Sequence, residues 1–373
     1  MLNLKNIWNF IKPLAGLIFV GVLAYFFPDI FICFVIAAVL SLMGRPLATF
    51  FKKLHFGKWH FPDALAAILT VISFILVIGG FVFLFVPLIS KQASMVYGID
   101  THSVADYFQK PLEDLHKWLI EYNVLKPDMD ITSALTAELD KVLNFTKVSA
   151  AFDGLVSTAS SFFVGVFSVF FLLFFMLRDK DTLKNIIMAV TPEKYEQKTQ
   201  KVLSETRYLL TRYFLGLMLE LACMMTLITV FLLILGIKNA LLIGFIGGLM
   251  NVIPYLGPLI GGTLGTIFGI ISTLSAQQYD MLIPHSLMVI GSFVVANMVD
   301  NMVLQPLIYS KSVKAHPVEI FLVIIIAGKI GGVFGMIVAI PAYTVIRIVA
   351  KQFWSELKFV DALVKNIDNG DPK

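Results

Sequence analysis

Charge is scarce in this chain of 373 residues: Asp, Glu, Lys and Arg make up 14% of it, against roughly 25% in an ordinary soluble domain. Cysteine is scarcer still. Cys33 and Cys223 are the only two, and both lie inside apolar runs, so they are expected to behave as small hydrophobes rather than as a disulfide or metal framework. No His-Glu-x-x-His, Gly-x-Ser-x-Gly or phosphate-binding Gly-Lys-Ser/Thr loop occurs, which argues against a metalloprotease, a serine hydrolase and a nucleotide-driven pump. The expectation is therefore no enzyme, no cofactor and no metal. Basic and acidic side chains number 29 and 25 and nearly cancel at +4, so nothing in the net charge points to nucleic acid.

What the chain has in abundance is apolar length. Hydrophobic residues make up 58%, Phe alone contributes 33, and the mean hydropathy is +0.85. The apolar residues fall in blocks long enough to cross a bilayer, near 11–27, 29–50, 62–89, 154–177, 213–235 and 282–308, with two longer blocks at 239–272 and 318–346. The first block lacks a small-residue cleavage site and is expected to be a retained span. The predicted fold is an all-α polytopic integral membrane protein with about six full spans, two re-entrant helical hairpins and a small helical extracytoplasmic segment.

Loop charges orient it. With the N-terminus in the cytoplasm, Lys5, Lys12, Arg45, Lys52, Lys53 and Lys58 fall inside, as do eight basic residues between Arg178 and Arg212. Segment 90–150, with six Lys and nine acids, falls outside. If 239–272 and 318–346 are hairpins, Lys311, Lys314 and the C-terminus also fall inside; if 239–272 crosses fully, the Lys311 loop falls outside. Charge favours two hairpins.

Both long blocks carry chain breakers. Pro254 and Pro258 bracket Tyr255, Leu256 and Gly257, just after Asn251; each proline lacks an N–H and disfavours helix before it, and Gly257 permits positive φ. A kinked single helix is the alternative. Beyond the break, Gly257, Gly261, Gly265 and Gly269 recur every fourth residue, a stripe for close helix packing. In the second block Gly328, Gly331, Gly332 and Gly335 surround Lys329, either a membrane-depth cation in need of a partner or a tip residue that snorkels to an interface. Two acids lie at membrane depth. Asp300 shares an expected polar helix face with Asn297, Asn301 and Gln305, and Glu220 sits in the fifth span. Both are candidates for coupling to an ion, and Glu220 alternatively for packing.

Hydropathy divides the chain into three N-terminal spans (1–89), an extracytoplasmic helical segment (90–150), a fourth span with cytoplasmic amphipathic helices (151–212), a core with both hairpins (213–346) and a cytoplasmic tail (347–373). Segment 90–150 is too short for a catalytic domain with its own large core; packing against the membrane part or a neighbouring subunit, or binding a partner as a scaffold would, are its expected roles.

The combination of NVIPYLGPLIGG, DNMVLQPLIYSKSVKAHPVEIFLVIIIAGKIGGVFGMIVAIPA and RDKDTL resembles the autoinducer-2 exporter family, also called PerM-like permeases. The family's Asn-x-Ile-Pro-Tyr-x-Gly-Pro element falls on Asn251, Ile253, Pro254, Tyr255, Gly257 and Pro258, and its Gly-Lys pattern on Gly328 and Lys329, with an extra glycine at Gly331–Gly332. The resemblance implies a bacterial cytoplasmic (inner) membrane protein, homopentamers whose subunits work separately, an elevator-like movement, and substrate held between two helical hairpins. Members export a small furanone signal or exchange sodium or lithium for protons. Partners so implied are the bilayer, a small polar solute and a coupling cation. Asn251, Pro254, Tyr255, Gly257, Pro258, Gly328, Lys329, Gly331 and Gly332 at the hairpin tips, with Asn297, Asp300, Asn301 and Gln305, are the expected substrate-binding residues.

Overall fold

A computed structural model describes residues 26–53, 55–56, 59–60, 62–97, 159–179, 181–309 and 316–353. The expected first span at 11–27 (but for its last two residues), most of segment 90–150, Lys311, Lys314 and the tail beyond 353 lie outside the described residues. Helix α1 (Pro28–Lys53) is followed by a two-residue antiparallel pair, β1 (His55–Phe56) and β2 (Trp59–His60), and by α2 (Asp63–Tyr97). An ion pair joins Lys52 at the end of α1 to Asp63 at the start of α2, each charge placed where the helix dipole favours it. Then come α3 (Ala159–Arg178), α4 (Thr182–Val190) and α5 (Glu196–Ile234). Although the hydropathy changes near residue 212, α5 runs through without a break, because neither Gly nor Pro interrupts 196–215.

After α5 the helices shorten: α6 (Ala240–Met250), α7 (Leu256–Ser275), α8 (Leu282–Val299), a π turn (Asp300–Leu304) and α9 (Gln305–Tyr309). A last helical stretch spans Pro317–Phe353. Among the described residues, six helical stretches are long and apolar enough to cross a membrane. Their outer faces are apolar: Phe83 and Ile330 are each 83% exposed. So extensive an apolar exterior suits lipid rather than water, and the protein is a polytopic helical membrane protein.

The last stretch is not one rod. Gly331 (φ −124°, ψ 17°) and Gly332 (φ 58°, ψ −145°) leave helical geometry, the latter in a conformation open in practice only to glycine. Residues eight apart in a straight helix are about 12 Å apart, yet a Cβ on Gly335 would collide with the carbonyl oxygen of Ala327, and one on Gly328 with the side chain of Met336. Farther out, Tyr343 Oη donates to Glu319 Oε2 at 2.7 Å. All three contacts are centred on 331–332. The chain therefore doubles back as a helical hairpin with arms α10 (317–330) and α11 (333–353).

The first broken block folds the same way. Gly261 packs on the backbone of Gly247, and Gly265 faces Ile243, both contacts being centred on Pro254; Asn239 Nδ2 donates to Ser272 Oγ at 3.0 Å where the arms end. Helices α6 and α7 are thus an antiparallel hairpin, as the loop charges favoured.

Contacts divide the chain into two compact units, each discontinuous in sequence. One comprises Met1–Gly79, Ser160–Glu220 and Asn301–Lys373. In it α1, the start of α2 and α3 close on a core of Ala37, Ala48, Ala67, Leu173 and Leu177, with Gly44 fitting under Thr70 and Phe74. Hairpin α10–α11 belongs to this unit, and its end meets the short turn just before α5 through Phe353 and Tyr195 (5.8 Å between rings).

The other unit comprises Gly80–Ala159 and Leu221–Asp300 and holds hairpin α6–α7. Glycines set its spacing. Gly244 and Gly248 let α6 approach Thr229 and Met225 of α5, Gly265 receives the Phe293 ring of α8, and Gly269 meets Val289. Gly257, Gly261, Gly265 and Gly269 are all buried, as the four-residue stripe predicts. On the opposite side Phe85 of α2 stacks on Phe245 at 3.4 Å between ring centres, beside Leu242 and Ile246.

Two measurements check this architecture. Spin labels at Val318 and Ile346, both exposed, lie opposite each other across the turn and are expected to sit within about 20 Å, against about 42 Å for an unbroken helix. Gly257→Ala and Gly335→Ala place a methyl group against a carbonyl of the facing arm and are expected to cost about 1–3 kcal/mol, seen as lower melting temperatures in detergent. Gly79→Ala meets nothing within 4 Å and is expected to be neutral or stabilising.

Candidate functional site

The tip of hairpin α6–α7 is built from backbone bonds closed within a few residues. The N–H groups of Asn251, Val252 and Ile253 each reach three residues back, to Gly248, Leu249 and Met250, at 3.1–3.2 Å. Then Leu256 N–H donates to Pro254 C=O at 2.8 Å across Tyr255, which has φ 65° and ψ −47°. This is a γ-turn of the rare, strained hand, on a residue whose Cβ makes positive φ costly by about 1–3 kcal/mol. Gly257 does not use the positive φ that is open to it. It is already helical, and what it lacks is a Cβ that would strike the Met250 carbonyl. Pro258 sits in the first turn of α7, where an N–H has no intrahelical partner to lose.

The side chains at this tip divide by environment. Asn251 and Ile253 are buried, Pro254 and Pro258 half-buried, and Tyr255 is 47% exposed. At the other hairpin tip, Lys329 is exposed two residues before the turn, flanked by exposed Ile330, Gly331 and Gly332; Gly328 is half-buried against Met336. The Lys329 side chain is therefore not enclosed within its own hairpin.

The expected polar face on α8 is divided by the π turn. Asn297 Nδ2 donates to Phe293 C=O of its own helix at 2.9 Å, Asp300 is 0% exposed, and Asn301 and Gln305 are exposed. A π turn holds one residue more than an α turn, rotating the residues beyond it by about 100° about the axis. Asn297 precedes the turn, Asp300 opens it, Asn301 lies within it and Gln305 follows it. Glu220 is buried at 4% exposure, two turns from buried Tyr213 on the same side of α5.

Two clusters escaped the sequence reading. On hairpin α10–α11, Glu319 accepts from Tyr343, and the Arg347 guanidinium lies 5.6 Å from the Tyr343 ring centre. At the open end of hairpin α6–α7, Asn239 holds Ser272, and Thr273 Oγ1 lies 3.2 Å from His285 Nδ1. Placing a mirror at the glycine turn would have paired 319 with 343; no sequence signal points to His285. Cys33 and Cys223 are free and half-buried, and among the described residues no group of three metal-ligating side chains occurs.

The γ-turn yields a test. Tyr255→Gly relieves the backbone and is expected to give a higher melting temperature than Tyr255→Ala, which keeps the strain and loses the ring just the same. Equal melting temperatures for the two variants would contradict the strained geometry.

Comparisons with known proteins place this arrangement. A family model described as AI-2E family transporter matches residues 14–354. YueF of Bacillus subtilis (strain 168) is 25% identical over 332 residues, covering 86% of this chain and 84% of YueF. From Synechocystis sp. (strain ATCC 27184 / PCC 6803 / Kazusa), sll0063 is 26% identical over 86% of this chain and 77% of its own length, and sll0060 is 24% identical over 91% and 93%. All three carry names that refer to transport and specify no substrate. With hairpins at both glycine- and proline-broken blocks and a match over most of its length, the chain belongs to the AI-2E transporter family.

Proposed function

We propose that this protein is a secondary transporter that carries a small polar solute across the bacterial cytoplasmic membrane, with the hairpin tips handling the solute. The observation that carries this reading is the pair of helical hairpins that interrupt apolar, span-length segments. Non-helical backbone inside a membrane protein is tolerated where it is buried in protein or faces a watery cavity, and transporters use such breaks to bring backbone dipoles to their cargo. Asn251, Tyr255 and Lys329 add side-chain chemistry at the tips, Pro254, Gly257, Pro258, Gly328, Gly331 and Gly332 shape them, and Asp300 adds a buried carboxyl group.

Export, autoinducer-2 as the cargo, an elevator-like displacement and pentameric assembly rest on the family resemblance. Without a nucleotide-binding motif in the sequence, the energy source is an ion or solute gradient. The protein acts as a carrier and not as an enzyme.

A second reading, exchange of Na⁺ or Li⁺ for protons, is favoured by one observation: the two acids within membrane helices, Asp300 and Glu220, are both buried. Acidic residues within membrane helices mark ion and proton pathways.

Reconstituted vesicles distinguish these readings. Asp300→Asn and Lys329→Met are expected to reduce solute flux to below a tenth of the wild-type rate with unchanged monodispersity and melting temperature. Full flux in both variants would refute the proposed site. Recovery of a quenched internal pH dye on adding Na⁺ or Li⁺, lost in Asp300→Asn and Glu220→Gln, would decide for the antiporter.

A further inference from the structure

Away from the hairpin tips, the compact unit built on α1 and α5 contains an open cavity of about 400 Å³ lined by three cationic side chains, Arg45 and Lys53 of α1 and Arg207 of α5. The hydroxyl-bearing Thr49 and Thr211 and the exposed ring of Phe50 complete its wall. Arg45 stands out chemically. Its Nε and one Nη are buried without a hydrogen-bond partner among the described residues, so two strong donors have lost water and gained nothing in return. Arg207 acts on it as a like charge and Asp181 as an opposing one. No carboxylate lines the cavity.

Arg45 and Arg207 repel one another across the cavity, Asp181 offsets only part of that at Arg45, and an anion in the cavity would offset more. The guanidinium fork favours an oxyanion that accepts two parallel bonds, and the threonine hydroxyls offer further donors. Phe50 beside this polar floor provides for an apolar tail. From loop charge, both walls of the cavity belong to basic segments on one side of the membrane, where basic pockets between helices take phospholipid headgroups.

We propose that this cavity binds a phosphate group, donated by the headgroup of an anionic phospholipid or by free phosphate, held by Arg45, Arg207 and Lys53. Bound there, the group neutralises the repulsion and clips the end of α1 to α5. This inference is independent of the transported solute.

The test uses the full-length protein in detergent. Native mass spectrometry and thermal melting are recorded with added phosphatidylglycerol, phosphatidylcholine or inorganic phosphate. Wild-type protein is expected to retain phosphatidylglycerol over phosphatidylcholine and to melt higher with it. Arg207→Gln alters an exposed side chain and is expected to fold normally but to weaken retention at least tenfold, Arg45→Lys to weaken it less than Arg45→Gln, and Lys201→Gln, an exposed cation outside the cavity, to leave it unchanged. Stabilisation by millimolar inorganic phosphate, abolished in Arg207→Gln, assigns the group to solution; stabilisation by the anionic lipid alone assigns it to the bilayer. If Arg45→Gln and Arg207→Gln bind both ligands as the wild type does, or if neither ligand binds the wild type, the proposal is overturned.

Discussion

A peptide group in hydrocarbon has no water to bond, so a chain that turns there must satisfy its own N–H and C=O groups or bury them against protein. Both hairpins obey this constraint by different means. The α6–α7 tip tightens into three-residue steps and a γ-turn at Tyr255, using proline where an N–H would be surplus. The α10–α11 tip uses two adjacent glycines, one in a conformation closed to other residues. In each, a glycine just after the turn lets the returning arm lie against a carbonyl of the outgoing one: Gly257 on Met250 and Gly335 on Ala327. The arms pack closely because the side chain that would separate them is missing.

The breaks were legible in the sequence because proline and glycine act locally: Pro254, Pro258 and the Gly331–Gly332 pair restrict or free the backbone wherever they occur. The stripe from Gly257 to Gly269 was legible for the same reason, since helical period alone puts it on one face. The site of positive φ was not. Gly257 is the residue best suited to it, yet the turn falls on Tyr255 because Gly257 is needed for the close approach of the arms. Nor was the π turn at Asp300–Leu304 legible, since one added residue in a helical turn leaves no compositional mark. The Glu319–Tyr343 bond depends on register across a turn, which becomes calculable only once the turn residue is known.

Charge counting and packing bring the same two segments together although they use different information. The basic residues of 45–58 and 178–212 were assigned to one side by the positive-inside tendency alone. In the structure Arg45, Lys53 and Arg207 line one cavity. The end of α11 rests on the same segment of chain, through Phe353 on Tyr195 and Gln352 Nε2 to Glu205 Oε1 at 3.5 Å.

Arm length then sets how deep each tip lies. Helix α6 has 11 residues and α10 runs from 317 to 330, so at 1.5 Å per residue they reach about 16 and 21 Å. Both fall short of a hydrocarbon core about 30 Å thick. A hairpin opening at a membrane surface therefore ends within the core, and its second arm, the longer in both cases, extends past the first. Polar groups at such tips can be kept there only by protein, by a watery path or, for a long side chain such as Lys329, by reaching back to an interface. The brevity of the first arm, together with the breakers that end it, is what sets Asn251, Tyr255 and Lys329 at hairpin ends that fall short of a full crossing.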